Sequence, residues 1–249
     1  MPTPHVLCGG TFKINKRENI MNNDKYAPTT LDDFVFFDDK TEYIIRAIVS
    51  GEYPITQLGT SGLLLFGPAG TGKTSLAKLL PDFIEQAHGG ESCFVEFYAC
   101  GEGDDNGNKI IKDIRSKLDK NPMSHSNLRF FVLDEIDNLN TKTLSALKGI
   151  MNAKQTLFIL TTNYPSQLDS VLKDRCLPLP FLAAPAEKWL PLAKLLAAEQ
   201  NLTNIDDGSL LQVCQKSGGS ARELNRQIMS TSIEIKSMTR NYMRPSTTS

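Results

Sequence analysis

The run Leu63-Leu64-Leu65-Phe66 leads directly into Gly67-Pro68-Ala69-Gly70-Thr71-Gly72-Lys73-Thr74, and Ser75 opens a helical pattern that continues to Ala87. No other passage restricts the fold as much. A short apolar run without polar alternation is what a strand buried on both faces of a parallel sheet looks like. The segment from Gly67 to Thr74 satisfies G-x-x-x-x-G-K-[ST] without a gap. Its glycines let successive backbone N–H groups converge on one point. Lys73 adds a compact positive charge there, and the following helix presents its positive end to the same place. A glycine-rich turn before an ordinary helix is the plain alternative. Four fixed positions match by accident in about one chain of this length per hundred, and the flanking strand and helix argue further against accident. The pattern predicts a phosphate cradle for ATP built from Gly67, Pro68, Ala69, Gly70, Thr71, Gly72, Lys73, Thr74 and Ser75. The Thr74 hydroxyl is the expected protein ligand for Mg2+.

A second apolar run, Phe130-Phe131-Val132-Leu133, ends in Asp134-Glu135. In a parallel sheet it delivers two carboxylates at its C-terminal end, and the expected place for this strand is next to the one that feeds the glycine loop. Asp134 would then hold Mg2+, mostly through water, and Glu135 would polarise a water for in-line attack. Taken alone, the pair is a weak signal, and an acidic surface turn is the plain alternative. It is the company of the glycine loop that favours chemistry.

Between and beyond these runs, helical patterns at about Lys40–Val49, Lys109–Leu118 and Thr141–Met151 alternate with apolar runs at Phe94–Phe97 and Leu157–Thr161. Gly101–Asn108 reads as a loop. Alternation of this kind predicts an α/β fold with a mostly parallel sheet covered by helices on both faces. After Pro178 only helical patterning remains, at Glu187–Glu199, Asp207–Lys216 and Ala221–Lys236. The expected organisation is an irregular arm over residues 1–24, an α/β ATPase domain over 25–183, a small helical lid over 184–238 and a flexible tail over 239–249.

Composition narrows the function classes. The net charge is −1 and the pI is near 6.3, so no global basic field advertises nucleic acid, and any DNA contact must come from a local patch or an assembled ring. No apolar run approaches the roughly 20 residues that span a bilayer, and Met1–Gly10 lacks the pattern of a signal peptide. The cysteine count is 5, odd, with no C-x-x-C pair, and the 3 histidines lie far apart. A disulfide framework or zinc knuckle is therefore not expected, and a reducing cytoplasm is the simplest compartment.

The order of motifs resembles an AAA+ ATPase, and within that group the clamp-loader ATPase subunits of the replication factor C small-subunit type, over about Lys25–Met229. Lys25-Tyr26-Ala27-Pro28 followed by Asp32-Asp33 is similar to the family's opening segment, which implies that Tyr26 and Pro28 lie against the adenine; the family's arginine is Ala27 here. Glu96–Gly101 stands where the family has a loop and helix facing DNA. Lys109, Lys112 and Lys117 would serve that contact, or form a solvated helix face. Asp134-Glu135-Ile136-Asp137 and Thr141–Met151 are similar to the family's acidic strand end and following helix, with Leu144 in place of a glutamine. Thr161-Thr162-Asn163-Tyr164, Leu168, Leu172 and Arg175-Cys176 resemble the sensor 1 and arginine-finger stretch, with Asp174 in place of a serine. The resemblance implies that Asn163 orients the attacking water and that Arg175 reaches the ATP of a neighbouring subunit; a loop cap and a surface ion pair are the structural alternatives. Gly218–Arg222 resembles the start of the lid's last helix, which makes Arg222 the expected sensor 2. Ser220 as an ordinary helix cap is compatible with that.

A finger supplied in trans implies a homo-oligomer, or a hetero-oligomer with related AAA+ subunits. The resemblance further implies a DNA-associated protein partner, with DNA itself as a possible ligand and no membrane. The expected function is ATP-driven loading or remodelling of such a complex. Clamp-loader subunits continue past the lid into a helical collar, whereas this chain ends soon after it. Two alternatives therefore stand: an ATP-gated assembly module acting on a protein partner in a mobile-element or anti-phage system, and a nucleotide switch that does not hydrolyse.

Overall fold

Three continuous apolar runs form the middle of the protein. In the computed structural model, which describes residues 11–12, 27–57, 60–101, 104–202 and 205–242, the strands β2 (Gly62–Phe66), β4 (Arg129–Asp134) and β5 (Thr156–Thr162) are buried on both faces. The two-residue period of a strand sends Leu63, Leu65, Phe130, Val132, Leu157 and Ile159 to one face. Leu64, Phe131, Leu133, Phe158 and Leu160 go to the other. The first face packs against Ile45 and Ile48 of α1 (Asp39–Ser50) and Leu76, Leu80 and Ile84 of α2 (Lys73–Ala87). The second packs against Ile110 and Ile114 of α3 (Asp104–Leu118) and Leu147 of α4 (Thr141–Ile150). Phe131 and Phe158 stack at 5.3 Å in that second layer. The expected three-layer α/β arrangement is thus present.

The full sheet adds β1 (Thr11–Phe12), β3 (Val95–Ala99) and β6 (Cys176–Pro180), in the order β1-β3-β4-β5-β2-β6. All pairs are parallel except β1 with β3. This order corrects one expectation. The acid-bearing strand β4 is not next to β2, because β5 lies between them. A second correction is α3, which begins at Asp104 rather than near Lys109. Its glycine and aspartates read as loop residues. Yet Gly107 is where α3 meets α4, and a Cβ there would come within 2.3 Å of Thr143 Oγ1. Close helix packing, and not a turn, explains that glycine.

The edge strand β6 and the short α5 (Ser170–Lys173) were not evident from the sequence. Pro178 and Pro180 mask β6. The Phe181 N–H donates to the Phe66 carbonyl at 2.7 Å, so by the period of two the proline nitrogens face away from β2, as an edge position permits. Phe181 approaches so closely that any Cβ on Gly67 would lie 2.1 Å from its carbonyl oxygen, and Gly67 has φ 149°. The turn out of β2 therefore admits only glycine.

The described residues divide into two units, one ending at Gly67 and resuming over Lys73–Phe181, the other comprising Pro68–Gly72 and the chain from Leu182. In the second, α6 (Ala186–Glu199), α7 (Asp207–Lys216) and α8 (Ala221–Tyr242) pack around Trp189, Leu196, Leu210, Cys214, Leu224 and Ile228. α8 extends past the expected end of the lid, to Tyr242. Tyr26 and the remainder of the arm before it, Thr11–Phe12 excepted, lie outside the described residues, as does the tail after Tyr242. Among the described residues no helix is long and apolar enough to cross a membrane.

A fully buried carboxylate fixes α2 to the entrance of β4. Glu85 is 0% exposed and accepts from the N–H groups of His125 (2.8 Å) and Ser126 (3.0 Å). Charge-assisted bonds of this kind contribute about 1.5–3 kcal/mol each when a partner is lost. Glu85→Ala is expected to lower the thermal midpoint of the α/β unit by about 5 °C or more, with Glu85→Gln intermediate, measured by circular dichroism. An unchanged midpoint in the alanine variant would contradict the role given to this carboxylate.

Candidate nucleotide and metal site

The loop between β2 and α2 uses three glycines with positive φ: Gly67 at 149°, Gly70 at 85° and Gly72 at 98°. The first helical residue is Lys73, 6% exposed, and its Nζ donates to the Gly67 carbonyl at 2.9 Å. Burial pulls this ammonium below the usual lysine value, against the opposing influence of Asp134, Asp137 and Glu135. Inside the loop, the Thr71 hydroxyl donates to the Pro68 carbonyl at 3.1 Å. Pro68 and Ala69 are exposed, while Thr74 and Ser75 are half-buried at the start of α2.

The two sequence halves meet at one contact. Thr74 Oγ1 donates to Asp134 Oδ1 at 2.8 Å, across 60 residues of chain. A hydroxyl and a carboxylate held side by side form a donor set that suits Mg2+. This ion takes few protein oxygens, keeps several waters and completes its shell with phosphate. Glu135 follows Asp134 and is exposed, with the left-handed backbone φ 58°, ψ 55°. Its N–H donates to Thr161 Oγ1 at 2.9 Å, and the same hydroxyl donates to Asp134 Oδ1 at 2.6 Å. The signal for Thr161 in the sequence is a pair of threonines, Thr161-Thr162, closing an apolar run.

Asn163 directly follows β5 at the same edge of the sheet, half-buried. Its N–H donates to Asp137 Oδ1 at 3.2 Å, and Thr162 Oγ1 donates to that oxygen at 2.7 Å. Gly67, Lys73, Thr74, Asp134, Glu135 and Asn163 thus all lie at the C-terminal ends of the three central strands or on the turns that follow, where open parallel sheets carry their ligands. Pro28 is half-buried, and Asp33 caps the segment after it by accepting from the N–H groups of Thr29 (2.8 Å) and Thr30 (2.7 Å).

Arg175 is engaged within its own chain. Its Nη1 donates to the Lys148 carbonyl at the end of α4 and to Asn152 Oδ1 at 2.9 Å. A guanidinium at that place satisfies carbonyls the helix leaves unpaired. Lys148 in turn reaches Asp169 at 2.5 Å. In the helical unit, Arg222 lies exposed on the first turn of α8. Ser220 Oγ accepts from the Glu223 N–H at 3.2 Å, so the expected cap is formed, and the Ala221 N–H donates to the Gly70 carbonyl at 3.1 Å.

The three lysines expected on a DNA-facing or solvated face separate. Lys109 and Lys112 are exposed, together with Arg115. Lys117 is not available: its ammonium lies 2.6 Å from Glu96 and 2.7 Å from Asp113, and Tyr98 donates to the same Asp113 at 2.7 Å. Partial burial would raise the Asp113 carboxyl, but the bonds from Lys117 and Tyr98 outweigh it and hold the group below its usual value.

Comparison with known proteins agrees with this geometry. Residues 63–179 match the ATPase family associated with various cellular activities (AAA). The chain is 27% identical over 232 residues to replication factor C subunit 4 of Caenorhabditis elegans, covering 90% of this chain and 66% of that protein. It is 26% identical to the replication factor C small subunit of Thermofilum pendens (87% and 64%) and 30% identical to that of Picrophilus torridus (80% and 60%). The chain therefore spans slightly under two thirds of the length of these relatives. Among solved structures, the fold is similar to the RuvB Holliday junction branch migration motor of Thermotoga maritima, with TM-score 0.59, 18% identity, and 82% and 64% of the two chains covered. It is also similar to PCH-2 of C. elegans, with TM-score 0.55, 15% identity, and 82% and 71% covered. Over residues 63–179 the chain carries an AAA-type P-loop domain, and over most of its length it resembles the clamp-loader ATPase subunits of the replication factor C small-subunit type.

Proposed function

We propose that the chain binds Mg-ATP at Gly67–Ser75 and hydrolyses it in an oligomer, coupling turnover to loading or remodelling of a DNA-associated protein complex. The contact between Thr74 and Asp134 carries this reading, because it joins the phosphate loop to the acidic strand end in one place. Thr74 and Asp134 would hold Mg2+, which when bound neutralises charge on the transferring phosphate. Lys73 would turn from the Gly67 carbonyl to the β- and γ-phosphates. Glu135 polarises the attacking water and Asn163 orients it. By the resemblance, Tyr26 and Pro28 would lie against the adenine, and Arg222 would read the γ-phosphate.

Arg175 is assigned to the site of a neighbouring protomer. Within its own chain it caps α4, so assembly would exchange the Lys148 carbonyl and Asn152 for a phosphoryl group, a stronger partner for a guanidinium. The oligomer is built from this chain alone or with related AAA+ subunits. The relatives named replication factor C subunits support a clamp-loader-like role, and exposed Lys109, Lys112 and Arg115 provide a local basic face for DNA. The withdrawal of Lys117 into an ion-pair network and the near-neutral net charge favour the second reading, in which the partner is a protein and DNA contact is incidental.

Lys73→Ala is expected to abolish nucleotide binding. Glu135→Gln should lower turnover about a hundredfold or more while ATP still binds. Equal rates for wild type and Glu135→Gln would mean that hydrolysis is not the output. For the finger, Arg175→Ala should lower turnover about a thousandfold, and mixing it with Lys73→Ala protein should restore measurable turnover, since one protomer keeps the finger and the other the nucleotide site. No recovery on mixing would assign Arg175 to its own chain. Turnover should rise with primed or duplex DNA at low salt and lose that rise by about 0.3 M salt. Neither binding nor stimulation would leave the protein-partner reading.

A further inference from the structure

The sheet order leaves one strand between the two halves of the site. β5 separates β2 from β4, and near the level where those strands end it carries Thr161, which stands opposite Leu65 of β2 and is 1% exposed. A buried hydroxyl so placed must find partners, and Thr161 has them on both sides of its oxygen. It donates to Asp134 Oδ1 at 2.6 Å and accepts from the Glu135 N–H at 2.9 Å. Donor and acceptor are needed together, since the carboxylate only accepts and the amide only donates. Of the side chains that fit a fully buried strand position, threonine and serine supply both.

What this hydroxyl holds is unusual. Glu135 sits at φ 58°, ψ 55°, a left-handed conformation that L residues with long side chains seldom adopt. Such a backbone persists only where its surroundings over-determine it. Here both sides of the residue are tied. Its N–H goes to Thr161, and its carbonyl accepts from the Asn138 N–H at 3.1 Å. Asp134, immediately before, has its carbonyl fixed by the Cys100 N–H at 2.9 Å. The direction in which the Glu135 side chain leaves the strand end therefore depends on a bond from β5.

We propose that Thr161 is a positioning residue: its hydroxyl locks the left-handed turn at Glu135 and so aims that carboxylate at the attacking water. The inference rests on the reading of Glu135 given above. The adjacent Thr162 acts on the next layer, tying Asp137 to the strand end from which Asn163 projects. The two threonines thus set the acid and the asparagine from the same strand.

The test measures steady-state ATP turnover and equilibrium binding of a slowly hydrolysed ATP analogue with Mg2+, for wild type, Thr161→Val, Thr161→Ser, Glu135→Gln and the double variant Thr161→Val with Glu135→Gln. Thr161→Val keeps the shape and removes both hydrogen-bonding functions. It should lower kcat about tenfold to a hundredfold, with KM and analogue affinity within about threefold of wild type. Thr161→Ser should recover at least about a third of wild-type kcat. In the Glu135→Gln background the valine should cost nothing further, because the group it aims is already gone. Thr161→Ala serves as the second hydroxyl-free variant should valine unfold the sheet, with melting curves separating loss of fold from loss of chemistry. Wild-type kcat in a folded Thr161→Val or Thr161→Ala protein overturns the proposal, and if Glu135→Gln remains strongly impaired, the reading of Glu135 itself stands. Equal turnover in wild type and Glu135→Gln overturns that reading, and the proposal with it. Additive losses in the double variant also overturn the proposal, since Thr161 would then act through something other than Glu135.

Discussion

A single hydroxyl-to-carboxylate contact, Thr74 to Asp134 at 2.8 Å, brings the site together. Thr74 stands on the first turn of α2, which follows β2, and Asp134 ends β4; those two strands are not neighbours. The contact exists only because β2, β5 and β4 lie in register, each buried on both faces and each ending at the same edge. The continuous apolar run of each of these strands is thus the physical origin of the chemistry. It fixes the sheet to within the fraction of an ångström that a shared metal shell requires. Lys73, buried beside this pair, places a positive charge where water is scarce and electrostatic interactions are strong.

Much of this was legible in the amino-acid order because it depends on local patterns. The apolar strands, the glycine turn and most helix positions follow from periodicity and from residues with restricted backbones. The parts that were not legible depend on distant partners. β6 was hidden by Pro178 and Pro180, whose tolerance depends on an edge position that only the assembled sheet defines. Gly107 reads as a loop residue until Thr143 of α4 is seen against it. The order of strands was misjudged at one point, since nothing in the run Leu157–Thr161 says that it inserts between the phosphate-loop strand and the acidic strand. Thr161 gained its place for the same reason. Its two partners, Asp134 and Glu135, lie 27 and 26 residues away in sequence.

The position of Arg175 bears on the proposed division between one protomer and an assembly. In one chain the guanidinium closes the end of α4, a favourable but modest use of its charge. Under the proposed assignment a phosphoryl group would offer a stronger partner, and nucleotide bound by one protomer would draw this residue from the next. In the helical unit the Gly70 carbonyl accepts from the first N–H of α8, and a Cβ on Gly70 would lie 2.1 Å from Ser220 Oγ. The loop glycines are therefore constrained by more than the phosphates they are proposed to bind.

The most direct test of a single Mg-ATP site is a double-mutant cycle on analogue affinity, measured with and without Mg2+ for wild type, Thr74→Val, Asp134→Asn and the pair. The expected result is tighter binding with Mg2+ in wild type by about tenfold or more, loss of that gain in either single variant, and no further loss in the double. Wild-type affinity that is indifferent to Mg2+, or strictly additive losses in the pair, would contradict a metal site shared by Thr74 and Asp134.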